Sequence, residues 1–168
     1  MKISQLLENQ NDEIRNYEKL DKILYELCKL VVEGQKENPK KFGMVAAGLL
    51  DLDNNLVART STFVGKWRHA EKNAIEDYIK QYGEIPEGSI IITTCSPCSE
   101  IMHDRFGSSC TVLLDAYKIK KVYTGYIDPT QEEEHRDFNI METENESIRD
   151  LCKEFAEVFL DNEVEQSK

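Results

Sequence analysis

The sequence predicts an α/β fold: a three-layer α/β/α sandwich on a mixed sheet of about five strands. Three observations predict it. Apolar residues fall at helical spacing over Ile14–Val31, His69–Tyr82 and Glu146–Leu160. Ser89-Ile90-Ile91-Ile92-Thr93 is a β-branched run between helical segments, the composition of a strand buried on both faces. Two further apolar runs, Met44–Leu50 and Leu56–Phe63, flank the turn-forming Asp51-Leu52-Asp53-Asn54-Asn55 and read as a hairpin. Strands separated by helices require crossovers, and hence a parallel portion of sheet covered on both faces.

The elements follow in order. Ile14, Tyr17, Leu20, Leu24, Leu27, Cys28 and Val31 mark one face of a first helix, which Gly34 and Pro39 are expected to end. The hairpin comes next. Ala70, Ala74, Ile75, Tyr78 and Ile79 carry a second helix, stopped at Gly83, and the Ser89–Thr93 strand follows. Ser96 and Pro97 are expected to open a helix through about Phe106, since a proline in the first turn gives up an N–H that would bond nothing there. Thr111–Tyr117 is a short helical piece, and Lys121–Tyr126 a strand closed by Asp128-Pro129. Ile148, Leu151, Cys152, Phe155 and Phe159 define a last amphipathic helix, with Asn162–Lys168 expected to fray.

Composition bounds the function. With 168 residues, 40% of them hydrophobic, and only 8 Gly and 4 Pro, the chain suits one domain with a single core. Its parts are an N-terminal helix and loop (1–40), a core (44–129) and a C-terminal helix (130–160). No run approaches the roughly 20 apolar residues of a membrane helix. The start of the chain runs into Asn, Asp and Glu rather than an apolar leader, so a soluble cytoplasmic protein is expected. Lys and Arg total 21 against 32 Asp and Glu, a net charge of −11. The clusters Lys118–Lys121 and Lys36–Lys41 read as solvated surface, so small-molecule substrates are favoured over a long phosphate backbone. Five cysteines, an odd number, argue against a disulfide framework. Cys28, Cys152 and Cys110 are expected to pack as small buried hydrophobes.

Two clusters carry chemistry. His69-Ala70-Glu71 starts a helix, and Cys95-Ser96-Pro97-Cys98 stands where a strand gives way to a helix. One imidazole and two thiolates are three zinc ligands of suitable softness, leaving a fourth tetrahedral position open. The stretch between them is one helix, a loop and a strand, so both helix starts can meet, and positive helix ends favour thiolates. Glu71 lies about 200° round the helix from His69 and need not share the metal.

His69-Ala70-Glu71 with Cys95-Ser96-Pro97-Cys98 resembles the H-x-E and P-C-x-x-C signature of the zinc-dependent cytidine deaminase superfamily. The resemblance spans roughly Met44–Pro129. Cys98-Ser99-Glu100-Ile101-Met102 and the run from Lys118 to Asp128-Pro129 are similar to the branch of tRNA adenosine, dCMP and riboflavin-pathway deaminases. Thr94 departs from the family's proline before the first cysteine. A second register pairs Pro97-Cys98 with the family's Pro-Cys; it puts Ile101 at the second cysteine and needs Cys95 or Cys110 to substitute. The first register is preferred. His103–Tyr117 is an insertion relative to that branch.

The resemblance implies a cytidine-deaminase-type fold and a Zn²⁺ held by His69, Cys95 and Cys98. It implies hydrolytic deamination of an amino-substituted nucleobase, a cytosine derivative before others, in a free nucleoside, nucleotide or related small molecule. Zinc would acidify a water toward pH 7 and Glu71 would shuttle its proton. Thr62, Arg68, Ala70 and Arg105 are the expected substrate contacts, with Arg105 on the insertion suited to an anionic group. Phe63, Trp67, Phe106 and Tyr126 are candidates to stack on the base, and His103 and His135 are expected at the surface or behind the ligands rather than among them. The family usually forms dimers or tetramers. Two alternatives stand beside this reading: a deaminase of bases in RNA or DNA, which the acidic charge opposes, and an inactive zinc-stabilised binding module, which an intact Glu71 opposes.

Overall fold

The computed structural model describes residues 3–37, 45–64, 66–98, 109–130 and 137–166. Helix α1 spans Ile3–Glu37. It runs straight through Gly34, because burial outweighs the glycine: Leu27 and Val31 are fully buried at about 1.5–3 kcal/mol each, against about 1 kcal/mol for Gly over Ala. Strand β1 (Ala46–Leu50) turns through Asp51, whose carboxylate accepts from the Asp53 and Asn55 N–H groups, into β2 (Leu56–Thr60).

The expected strand Leu56–Phe63 breaks at Ser61. The Ser61 N–H donates to Val45 O at 2.8 Å and its Oγ accepts from the Val45 N–H at 3.1 Å, a pairing that ends the ladder. Beyond it, β3 (Thr62–Val64) and β4 (Lys66–Arg68) form a separate two-stranded ribbon. Helix α2 (Ala70–Tyr82) ends as expected at Gly83, whose φ of 90° is a conformation glycine adopts without strain and whose N–H bonds Ile79 O.

Strand β5 (Ile90–Thr93) follows, then α3 (Cys110–Ala116), β6 (Lys121–Thr124), β7 (Asn139–Glu142) and α4 (Glu146–Gln166). Residues 96–98 are not helical. The rest of the helix expected through Phe106 lies outside the described residues. The Asn145 side chain accepts from the Ile148 N–H and starts α4, which runs past Leu160 rather than fraying at Asn162.

The main sheet is ordered β2-β1-β5-β6-β7. β1 is antiparallel to both neighbours, while β5, β6 and β7 run parallel, so the mixed five-stranded sheet is observed. β7 is the strand that hydrophobic patterning does not show: Asn-Ile-Met-Glu has two apolar residues, and pairing with β6 makes it a strand. Alternate residues then divide the core. Ala46, Leu50, Ile92 and Tyr123 face α1 and α4, with Leu24, Leu27 and Phe155. Leu49, Ile91 and Val122 face α2 and α3, with Ile75, Tyr78 and Leu114. That is the three-layer arrangement, set by the two-residue period of a strand. No helix among the described residues is long and apolar enough to cross a membrane.

Candidate active site

The ends of the parallel strands, on the α2–α3 side, hold the reactive groups. After β5 the chain bends at Thr94-Cys95 and is tied down on both sides. Thr94 N–H donates to Ala46 O and its Oγ1 accepts from the Ala46 N–H. Thr93 Oγ1 donates to Cys95 O at 2.8 Å. Ser96 N–H donates to Tyr126 O at 2.9 Å, while its Oγ accepts from the Asp128 N–H at 2.9 Å. These bonds fix the approach of Cys98.

His69 is the N-cap residue of α2, in an extended conformation, and its imidazole does not cap the helix. Its Nδ1 lies 3.5 Å from Cys98 Sγ. From the other side comes α3, capped by Ser109, whose Oγ accepts from the Val112 N–H. This cap places Cys110 first in the helix, where its N–H donates to Cys98 Sγ at 3.3 Å. The ligating atoms of His69, Cys98 and Cys110 all lie within 4.8 Å of one another. Cys110 Sγ in turn donates to Glu71 Oε2 at 3.4 Å.

Electrostatics follows from this crowding. Burial pushes the Glu71 carboxyl up, opposed by His69 and reinforced by Cys98, so this acid holds its proton more tightly than usual. Burial acts against a charge on His69, but the Cys98 bond and the Cys98 and Glu71 charges prevail and raise it. The Cys110 thiol is raised by its bond with Cys98, by burial and by Glu71. A metal ion entering the group would displace these thiol protons.

The expected ligands are thus only partly brought together. His69 and Cys98 meet, but Cys95 is outside the group and Cys110, expected as packing, is inside it. The reason is local geometry. Cys95 sits on the bend held by Thr93, and its thiol is pushed up to about 12, first by burial and then by Glu71, Asp128 and Cys98. A serine cap just before Cys110 and a proline just before Cys98 were the available signals; they favour the second register in its Pro97-Cys98 pairing, with Cys110 substituting.

Of the expected substrate contacts, Ala70 is buried at the first position of α2 beside His69. Thr62 and Arg68 are directly paired across the β3–β4 ribbon, Arg68 leading straight into His69. Arg105 lies outside the described residues, as do Phe106, His103 and His135. Tyr126, a stacking candidate, instead packs against the α1–α4 core.

The profile of the cytidine and deoxycytidylate deaminase zinc-binding region matches residues 18–126, well over half of the chain. Among solved structures, diaminohydroxyphosphoribosylaminopyrimidine deaminase/5-amino-6-(5-phosphoribosylamino)uracil reductase from Thermotoga maritima is 26% identical, with a TM-score of 0.60 over 87% of this chain. This chain spans only 42% of that protein's length. The apo form of dCMP deaminase from the cyanophage S-TIM5 is 18% identical, with a TM-score of 0.48, over 71% of this chain and 95% of that one. No curated protein matches the chain. On the strength of the profile match and of the fold, the chain belongs to the cytidine and deoxycytidylate deaminase family, defined by its zinc-binding region.

Proposed function

We propose that this protein hydrolytically deaminates an amino-substituted nucleobase in a free nucleoside, nucleotide or related small molecule, and that His69, Cys98 and Cys110 hold a Zn²⁺ for that reaction. The observation that carries the reading is the buried Glu71 carboxyl, bonded to Cys110 at the edge of a His/Cys/Cys group. One ring nitrogen and two sulfurs match zinc in softness, and three protein donors are the number that leaves a catalytic zinc one open position. Zinc bound there would supply Lewis acidity, bringing a water within reach of deprotonation at neutral pH.

The residues of the chain account for the proton traffic. Glu71 accepts a proton from the attacking water and delivers it to the ring nitrogen, so that the new C–O bond forms at the amidine carbon. It then carries the second water proton to the exocyclic amine, the C–N bond breaks, and ammonia leaves behind a ring carbonyl. Burial suits Glu71 to this work, since a raised carboxyl pKa lies nearer the operating pH. Ala70, Thr62 and Arg68, which lead into and out of His69, are the proposed substrate contacts, and Arg105 is proposed to take an anionic group.

A cytosine derivative is the first reading of the substrate. The likeness to the Thermotoga maritima deaminase/reductase over 87% of this chain favours a second, a diaminopyrimidine carrying a ribosyl phosphate. A net charge of −11 weighs against nucleic acid. We place the enzyme in the cytoplasm as a homodimer or homotetramer. The test is ammonia release by zinc-loaded protein from cytosine, cytidine, dCMP, dCTP, adenine, guanine, the phosphoribosyl diaminopyrimidine, and RNA and DNA oligonucleotides. Turnover of a free pyrimidine compound is expected. Release from oligonucleotides alone would make it a nucleic-acid deaminase, and zinc-replete protein inert toward every compound would leave a binding module.

A further inference from the structure

Two more cysteines meet on the opposite face of the sheet. Cys28 on α1 and Cys152 on α4 are both buried, 1% and 0% exposed, and their Sγ atoms lie 3.4 Å apart. They join the two terminal helices across a separation of 124 residues. Around them stand Leu24, Leu27, Val31, Ile92 and Tyr123. Among the described residues no third metal-ligating side chain joins the pair, so its chemistry is that of two thiols. Cys152 also lies against Gly125, where any side chain would overlap its sulfur, and the Gly125 N–H donates to Thr93 O at 3.0 Å.

We propose that Cys28 and Cys152 are a reversible redox pair, which a peroxide converts into a disulfide fastening α1 to α4 behind the sheet. Either thiol can donate the hydrogen bond between the two sulfurs and so favour the other's thiolate; Cys28 is taken as the attacking sulfur. It attacks one peroxide oxygen, the O–O bond breaks, and a sulfenic acid and water result. Cys152 then attacks that sulfur, the S–S bond forms, and the sulfenic oxygen leaves as a second water. Two thiols are oxidised and one peroxide is reduced. Hydrogen peroxide is scarcely larger than water, so a local opening of either helix admits it without global unfolding. The sulfurs need to close from 3.4 Å only to the roughly 2.05 Å of a disulfide. Because the pair lies on the α1–α4 face, the bond leaves the His69, Cys98 and Cys110 group in place.

The test uses the full zinc-loaded chain and one equivalent of hydrogen peroxide. Remaining thiols are alkylated, and the protein is digested and mapped by mass spectrometry without reductant. A cross-linked peptide containing Cys28 and Cys152 is expected, with zinc content unchanged and Tm raised by about 5–10 °C. A phosphine reductant should reverse both changes. Cys28→Ala and Cys152→Ala should each abolish the linked peptide and the rise in Tm while keeping the zinc. Absence of the peptide, cross-links confined to Cys95, Cys98 and Cys110, or a linked form melting at or below the reduced one would overturn the proposal. Mapping of the unaltered chain decides these points even if a variant does not fold.

Discussion

Cysteine stands on both faces of the sheet, in different company. On the α1–α4 face, Cys28 and Cys152 are enclosed by aliphatic and aromatic side chains, and each has the other as its sulfur partner. On the α2–α3 face, Cys98 and Cys110 meet an imidazole, a buried carboxyl and a backbone N–H at the start of a helix. The thiols are the same; what differs is the supply of donors and charges around them. Apolar walls leave sulfur only thiol chemistry, whereas helix starts and loop ends bring polar groups that can share a metal or move a proton.

The largest effect should come from Glu71→Gln, which keeps the size and removes the titrating oxygen. General acid–base contributions run to about 10²–10⁴-fold, and a residue serving successive transfers should lie at the upper end. Ammonia release should fall by about 10⁴-fold, with zinc content and Tm little changed. Turnover within tenfold of the unaltered enzyme would defeat the proton-shuttle role, and loss of zinc would make Glu71 structural.

Next, Cys110→Ala and Cys95→Ala separate the two possible ligand sets. Loss of even the groups that orient metal ligands typically weakens affinity about 10–100-fold, so removing a ligand itself should cost Cys110→Ala at least 100-fold in zinc affinity. Cys95→Ala should keep full stoichiometry. Competition with a chromophoric chelator measures both, and the reverse ranking would restore Cys95 as the ligand.

Gly125→Ala probes the link between the faces. The added methyl would overlap Cys152 Sγ and press on Thr94 O at 3.2 Å, so the Thr94-Cys95 bend must shift or the core must open. Overpacking of this kind costs about 1–3 kcal/mol. Denaturant unfolding should show that loss, and a neutral result would mean that α4 moves freely against the sheet.

The smallest effect belongs to Tyr78→Phe. Tyr78 OH donates to Asp51 Oδ2 at 2.6 Å, but Asp51 also holds Asn55 and two backbone N–H groups, so about 1 kcal/mol should be lost. The pH dependence is more specific. Burial and the Asp51 bond push Tyr78 up to about 12, from an ordinary value of 10.0. Its contribution is therefore fully present below pH 10, where both states are protonated. Above that the unfolded chain ionises first, so stability falls as pH rises through about 12. The difference in stability between the unaltered chain and Tyr78→Phe should shrink over that window; a constant difference would show that the hydroxyl does not titrate late.

How much of this was written in the sequence depends on whether the cause was local. Helical periodicity is imposed residue by residue by burial against one surface, so α1, α2, α3 and α4 were legible, as was β5 from its isoleucines. His69-Ala70-Glu71 was legible because its members are adjacent. The Cys28–Cys152 contact was not, although each residue's burial was. β7 was hidden because its strand state comes from pairing with β6, and the ribbon of β3 and β4 because one pair of hydrogen bonds at Ser61 ends β2. The candidate ligand group was half legible. Spacing pointed to Cys95, three residues from Cys98, whereas chain direction after the Thr94-Cys95 bend and the capped start of α3 put Cys110 beside Cys98 instead. Sequence separation measures how far the chain must travel between two groups, not where a bend and a helix cap aim them; the sequence determined which residue types were at hand, and the packing of α3 against the strand ends decided which of them met.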